Sequence, residues 1–162
     1  MPATHLLVGN PTAQSGKNAA RIEQARRLLA DAGVRSDLLA TEPEGRTIAS
    51  VSATLAAGAY QVVVSMGGDG TFREVASGLL DSGRAEEIAL GMLPTGTAND
   101  QGKSFGLGSA PEDLERNVAV VVAGHETRLD AGSIAALDGD GLVVVSARFF
   151  DSAGWGSAWR RI

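Results

Sequence analysis

At 162 residues, 44% of them hydrophobic and 20% charged, the chain has the size and composition of one ordinary globular domain, long enough to bury a core of its own. Nineteen Asp and Glu against 14 Lys and Arg leave a net charge of -5 with no basic tract, which argues against nucleic acid as a partner and gives no strong pull toward anionic lipid. The absence of cysteine excludes a disulfide framework and suits a reducing cytoplasm, and the short apolar run Leu6-Leu7-Val8 is too brief for a signal peptide or a membrane span.

Taken in order, the predicted elements alternate between strand and helix. Residues 6–8 form a first strand, and residues 18–31 a helix with Ile22, Ala25, Leu28 and Leu29 on one face and Gly33 at its C-terminal stop. Residues 36–40 form a second strand, and residues 47–57 a second helix closed by Gly58. The apolar run around Val62 is a third strand, residues 72–80 a helix stopped by Asp81-Ser82-Gly83, residues 88–93 a buried fourth strand, and residues 111–123 a further helix. This alternation predicts an α/β fold, a doubly wound parallel sheet with helices on both faces.

After Gly124 the pattern changes. Residues 127–136 and 142–150 read as two strands joined by the turn Asp138-Gly139-Asp140-Gly141, a β-hairpin and not another strand-helix-strand unit. A calcium loop is rejected at this turn, because the third ligand, the following glycine and the distal glutamate are all missing. Four of the seven aromatic residues, Phe149, Phe150, Trp155 and Trp159, fall beyond residue 148, an apolar cluster expected either to cover a neighbouring chain or to lie loose.

Two turns carry the chemistry. Gly67-Gly68-Asp69-Gly70-Thr71 lies between the third strand and the helix after it, where glycines let backbone N–H groups approach a phosphate and the helix N-terminus adds unpaired donors and a positive dipole end. It is neither a dinucleotide fingerprint, failing at Arg73 where the third glycine belongs, nor a P-loop, which needs Gly-Lys-Ser/Thr. Asp69 would repel a phosphate unless it holds a metal ion, a ribose hydroxyl or a proton. The competing structural reading is a capping box of Thr71 and Glu74 with Asp69 as a favourable first-turn charge. The second turn, Pro94-Thr95-Gly96-Thr97-Ala98-Asn99-Asp100, follows the fourth strand and predicts a helix capped by Thr97. Both turns are expected to open on one crevice at the ends of the strands.

This pair of turns, with Asn10-Pro11 behind the first strand and Ser15-Gly16-Lys17 after it, resembles the diacylglycerol kinase catalytic domain, the fold of bacterial lipid kinases, sphingosine kinases and ceramide kinases and related to the NAD kinases. The resemblance runs from about His5 to Ala131. It implies a nucleotide-binding α/β domain over residues 1–131 and, in residues 132–162, a hairpin that leads into a β-rich lipid-binding domain, with the segment from Phe149 to Trp159 as that domain's first strand and turn. It further implies ATP and Mg2+ as cofactors and transfer of a phosphoryl group to a lipid hydroxyl, with the acceptor and a carboxylate base supplied by the second domain.

Position by position, the resemblance places Asn10 and Lys17 on the phosphate side, although Thr12-Ala13-Gln14 lengthens this turn relative to the family's. Thr41 contacts the nucleotide. Gly67, Gly68, Asp69, Gly70, Thr71 and Glu74 hold the adenine nucleotide, and Thr97 adds a hydroxyl near its phosphates or ribose. Asp69, Asp100 and Asp130 are expected to share a magnesium and water network, with Asp69 the candidate for catalysis as metal contact or base. Each has a plainer alternative: Thr41 as a turn hydroxyl, Lys17 as a solvated lysine, Asp100 as a first-turn acid. Gln101 and Lys103 depart from the apolar and small residues usual after Asn-Asp. Two other functions stay open, a NAD kinase-like enzyme, for which Asn99-Asp100 is a partial match to an Asn-Glu motif, and a nucleotide-binding module without catalysis. The expected location is the cytoplasm, with peripheral contact at the inner face of the membrane and self-association left open.

Overall fold

The computed structural model describes residues 4–150. Four strands, β1 (His5–Gly9), β2 (Ser36–Ala40), β3 (Val62–Gly67) and β4 (Ala89–Pro94), form one parallel sheet in the order β2-β1-β3-β4. The helices between and after them are α1 (Lys17–Asp31), α2 (Thr47–Ala57), α3 (Asp69–Asp81), the short α4 (Asp100–Ser104) and α5 (Leu114–Ala123). A separate antiparallel hairpin is made by β5 (Gly132–Leu137) and β6 (Val143–Phe149). The doubly wound α/β architecture with a terminal hairpin is therefore present.

Alternation along the central strands divides the core into two layers. Leu7 of β1 and Val64 and Met66 of β3 pack with Ile22, Ala25 and Leu29 of α1 and Leu114 and Val118 of α5. Leu6 and Val8, with Val63, face the other way, onto Val51 and Leu55 of α2 and Val75 and Leu79 of α3. Because β1 and β3 are covered on both faces, their sequences are nearly unbroken apolar runs. The chain leaves β1 toward β2 and returns across it to β3, so the sheet's direction of growth reverses between β1 and β3. A crevice opens at such a reversal beyond the C-terminal ends of the strands.

The helix contacts show how tightly this frame is closed. At Gly78 of α3, an added Cβ would lie 2.7 Å from Val51 Cβ and 2.8 Å from the Ile48 carbonyl oxygen of α2. Arg84 ties the same layer together, its guanidinium donating to the carbonyl oxygens of Leu55 (2.8 Å) and Gly58 (2.6 Å) at the end of α2.

The chain separates into one compact unit ending at Glu126 and a second beginning at Thr127. The strand expected from residue 127 begins only at Gly132, and the run before it pairs with no strand. Within the hairpin, Asp138 organises the turn: its Oδ1 accepts from the Asp140 and Leu142 N–H groups at 3.0 and 2.8 Å, so the carboxylate caps the turn. Val143, Val144 and Val145 are all roughly 60% exposed, and since neighbours in a strand point to opposite faces, both faces of the hairpin show apolar surface. Trp155 and Trp159 of the expected aromatic cluster lie outside the described residues.

Gly78→Ala tests the packing of α2 on α3. Helix propensity alone would favour alanine by up to about 1 kcal/mol, but the blocked approach is expected to outweigh it and destabilise the chain by about 1 to 3 kcal/mol. Denaturant unfolding checks this, with a lowered midpoint and an unchanged slope as the expected result.

Candidate functional site

The parallel register sets Gly9 beside Ala40 and Met66, and Gly67 beside Pro94, so the segments that follow all four strands emerge along one edge of the sheet. There they line a cleft of about 290 Å3. Asn10 and Asn18 bound it after β1, Thr41 and Glu42 after β2, Gly67, Gly68, Gly70, Thr71 and Glu74 after β3, and Thr95, Gly96 and Thr97 after β4. Of the nucleotide-contacting residues expected from the sequence, all but Lys17 and Asp69 border this cleft.

Each wall is held by local bonds that the sequence explains. Asn10 closes its own turn, Oδ1 accepting from the Thr12 N–H (2.9 Å) and hydroxyl (2.8 Å). Its carbonyl oxygen accepts from Asn18 Nδ2 at 2.7 Å, which fixes the loop across the single-turn helix at Ala13–Gly16. That bond turns Asn18 Oδ1 inward, where it is buried without a partner in the structure. At the second wall, Thr47 donates its hydroxyl to the Glu42 carbonyl oxygen (3.0 Å) and accepts from the Glu42 N–H (2.9 Å), while Ser50 donates to the Glu42 carboxylate.

The two glycine turns meet at van der Waals distance. A Cβ on Gly96 would fall 2.5 Å from Gly68 Cα and 3.0 Å from Gly68 N, and the Thr95 N–H donates to the Gly67 carbonyl oxygen at 2.9 Å. Gly68 itself has room on this side, an added Cβ lying 3.4 Å from Gly96 Cα, and its backbone is extended. Glycine is thus required at 96 by the fold. At 68 it matters for what enters the cleft.

Neither predicted cap forms. The helix after β3 starts at Asp69 with Gly68 ahead of it, which places Thr71 inside its first turn, and no side chain caps it. In the second turn α4 begins at Asp100, and Asn99, not Thr97, occupies the cap position, in the left-handed region at φ 51. Asparagine tolerates that conformation and offers both a donor and an acceptor: its Oδ1 accepts from the Gly96 N–H (3.0 Å) and its Nδ2 donates to the Gly96 carbonyl oxygen (2.5 Å). The Thr97 hydroxyl is left at the rim of the cleft.

The acidic residues are placed differently from their expected joint role. Asp69 turns its Oδ1 to the Gln101 N–H at 3.1 Å. Asp100 is exposed and paired with Lys103 at 3.0 Å. Asp130 is an exposed residue of the second unit. Among the described residues no group of three or more His, Cys, Asp or Glu side chains is positioned to hold a metal ion. Lys17 is the exposed first residue of α1. Among the described residues no Lys or Arg borders the cleft, whereas the acidic residues Glu42 and Glu74 do. A larger groove of about 450 Å3 lies between α1 and β2 at Arg26, Arg27, Arg35 and Asp37; none of the predicted site residues touches it.

Fold and cleft together define a doubly wound α/β domain with a paired glycine and threonine turn at its topological reversal. Residues 4–134 match the diacylglycerol kinase catalytic domain, and the chain belongs to that family. A diacylglycerol kinase of Staphylococcus saprophyticus is 31% identical over 135 residues, 79% of this chain and 40% of that protein. One of Staphylococcus aureus is 32% identical over 130 residues, 79% of this chain and 39% of that protein. The chain thus spans about two fifths of the length of these relatives. A crystal structure of a diacylglycerol kinase from Bacillus anthracis superposes with a TM-score of 0.63 at 23% identity, over 80% of this chain and 43% of that one, a likeness of fold.

The two glycines are expected to respond in opposite ways. Gly96→Ala should force the turns apart and lower stability by about 1 to 3 kcal/mol. Gly68→Ala should leave the melting temperature within about 2 °C of the parent, because its methyl group meets no atom closer than 3.4 Å. Thermal unfolding of the two variants side by side checks this.

Proposed function

We propose that this chain is the nucleotide-binding part of a lipid kinase, taking ATP as its magnesium complex for transfer of the γ-phosphoryl group to the hydroxyl of a lipid such as diacylglycerol. The observation that carries the reading is the meeting of Gly67, Gly68 and Gly70 with Thr95, Gly96 and Thr97 in one cleft at the sheet's reversal, in a chain of the diacylglycerol kinase catalytic domain family.

Backbone N–H groups at the start of α3, thirteen residues long, face the cleft with a positive dipole end and are the natural seat of a phosphate. Thr41, Thr71 and Thr97 supply hydroxyls, and Glu42 and Glu74 are acceptors for ribose hydroxyls or base amines. Asn18 is oriented by its bond to the Asn10 carbonyl. The donor set also fits magnesium, a hard cation that takes oxygen ligands and keeps several waters: threonines and glutamates line the cleft, and among the described residues no cationic side chain is there to neutralise a triphosphate. The ion would supply that neutralisation, held chiefly by phosphate oxygens and water beside the carboxylates. In the transfer, the bond from the γ-phosphorus to its bridging oxygen breaks as the lipid oxygen bonds to phosphorus, and the hydroxyl proton passes to a carboxylate base. We assign that base and the lipid site to a second, β-rich domain, in keeping with the two-fifths coverage of the relatives and with the apolar surface on both faces of the hairpin. No helix among the described residues is long and apolar enough to cross a membrane.

Calorimetry on the 162-residue chain is the test. ATP should bind with magnesium present and weaken by about tenfold or more when EDTA replaces it, because unscreened phosphate charges then face Glu42 and Glu74 at a cost of about 1 kcal/mol or more each. Gly68→Val should abolish binding in a folded chain. The chain alone should not phosphorylate diacylglycerol, whereas a chain carrying the second domain should, and should prefer it to NAD as acceptor. No ATP affinity in a folded sample with magnesium would refute the reading.

A further inference from the structure

Asp69 stands between two glycines that line the cleft, yet it does not border the cleft itself. Its Oδ1 accepts the Gln101 N–H at 3.1 Å, a contact between residues 32 apart in sequence. That N–H belongs to the first turn of α4 and has no partner within the helix, and Gln101 is 7% exposed, so an alternative partner in water is largely denied to it. The same seam holds the Thr95 N–H on the Gly67 carbonyl and the backbone contact of Gly96 with Gly68.

We propose that Asp69 is a positioning residue, whose carboxylate fastens the threonine turn to the glycine turn and thereby sets the width of the cleft. This role is distinct from the metal-contact or base role expected from the sequence, and it rests on the nucleotide reading of the cleft given above. The chemistry favours it on two counts. A third carboxylate aimed into a cleft that, among the described residues, already holds Glu42 and Glu74 and no Lys or Arg would add repulsion against a polyphosphate, whereas the Oδ1 of Asp69 is turned to a backbone N–H of the protein. The negative charge also sits at the first position of α3, where the helix dipole favours it. Asp69 acts through the second turn: with the Gln101 bond lost, Gly96 and Thr97 are free to move away from Gly68, and a phosphate bound between the turns loses contacts on one side.

The amide variant separates the two roles, because Asn keeps an oxygen in the place of Oδ1 and lacks the charge. In Asp69→Asn, ATP affinity measured with magnesium should stay within about threefold of the parent, while in Asp69→Ala, which has no acceptor, it should fall by about tenfold or more. Amide hydrogen exchange without nucleotide gives a second readout: the Gln101 amide should be protected in the parent and in Asp69→Asn and lose protection in Asp69→Ala, with the amides of β3 unchanged. An affinity lost equally in both variants, or a Gln101 amide unprotected in the parent, would overturn the proposal, and if Asp69→Ala does not fold the Asn variant decides alone. If the parent itself binds no ATP, the nucleotide reading fails and the exchange data still decide whether Asp69 holds the seam.

Discussion

A methyl group at position 96 would lie 2.5 Å from the Cα of Gly68, and the geometry of the cleft follows from that lack of room. Two strand-to-helix turns approach at this backbone distance because position 96 carries no side chain toward Gly68. Their parent strands, β3 and β4, are neighbours in register, with Gly67 opposite Pro94, so the sheet delivers the turns to the same level and the glycines let them touch. Once they touch, Thr95 and Asp69 reach across and Asn99 closes the second turn on Gly96. The seam is built almost wholly from backbone groups and short polar side chains, and this leaves an edge on which N–H groups and hydroxyls can face a ligand.

The charge of the cleft is the second organising fact. Polyphosphate sites commonly use Lys or Arg for charge; here Lys17 stands outside the lining, and the charged residue types within it, among the described residues, are Glu42 and Glu74. On the proposed reading, such a cleft would disfavour a bare anion and take one that arrives already neutralised. The groove at Arg26, Arg27 and Arg35 is larger and richer in cations, yet it lies against the edge strand β2, away from the sheet's reversal and from both glycine turns. Topology and donor geometry, not volume, single out the smaller cleft.

Much of this was legible in the residues because it depends on local pattern. The runs Leu6-Leu7-Val8 and Val62-Val63-Val64 name the doubly covered strands, and the glycines after β3 mark the turn that lines the cleft. What escaped was tertiary. Thr97 has the chemistry of a cap, but Asn99 can enter the left-handed region and bond both groups of Gly96, so the helix starts two residues later. Asp69 and Asp100 share a residue type and a turn position; only the fold shows that one reaches Gln101 and the other pairs with Lys103. Glu42 and Asn18 went unremarked although each adjoins a predicted site residue, Thr41 and Lys17. Asn18 reaches the cleft because a single helical turn at Ala13–Gly16 folds the loop back on Asn10, a bend without a strong sequence signal.

The central claim is that the ligand sits between the two glycine turns, and amide chemical-shift mapping during a titration with magnesium and ATP tests it most directly. The account predicts shifts concentrated at Gly67, Gly68, Gly70 and Thr71 and at Thr95, Gly96 and Thr97, with smaller ones at Asn10 and Thr41. Shifts confined to Arg26, Arg27 and Arg35, with the glycine turns unmoved, would contradict it.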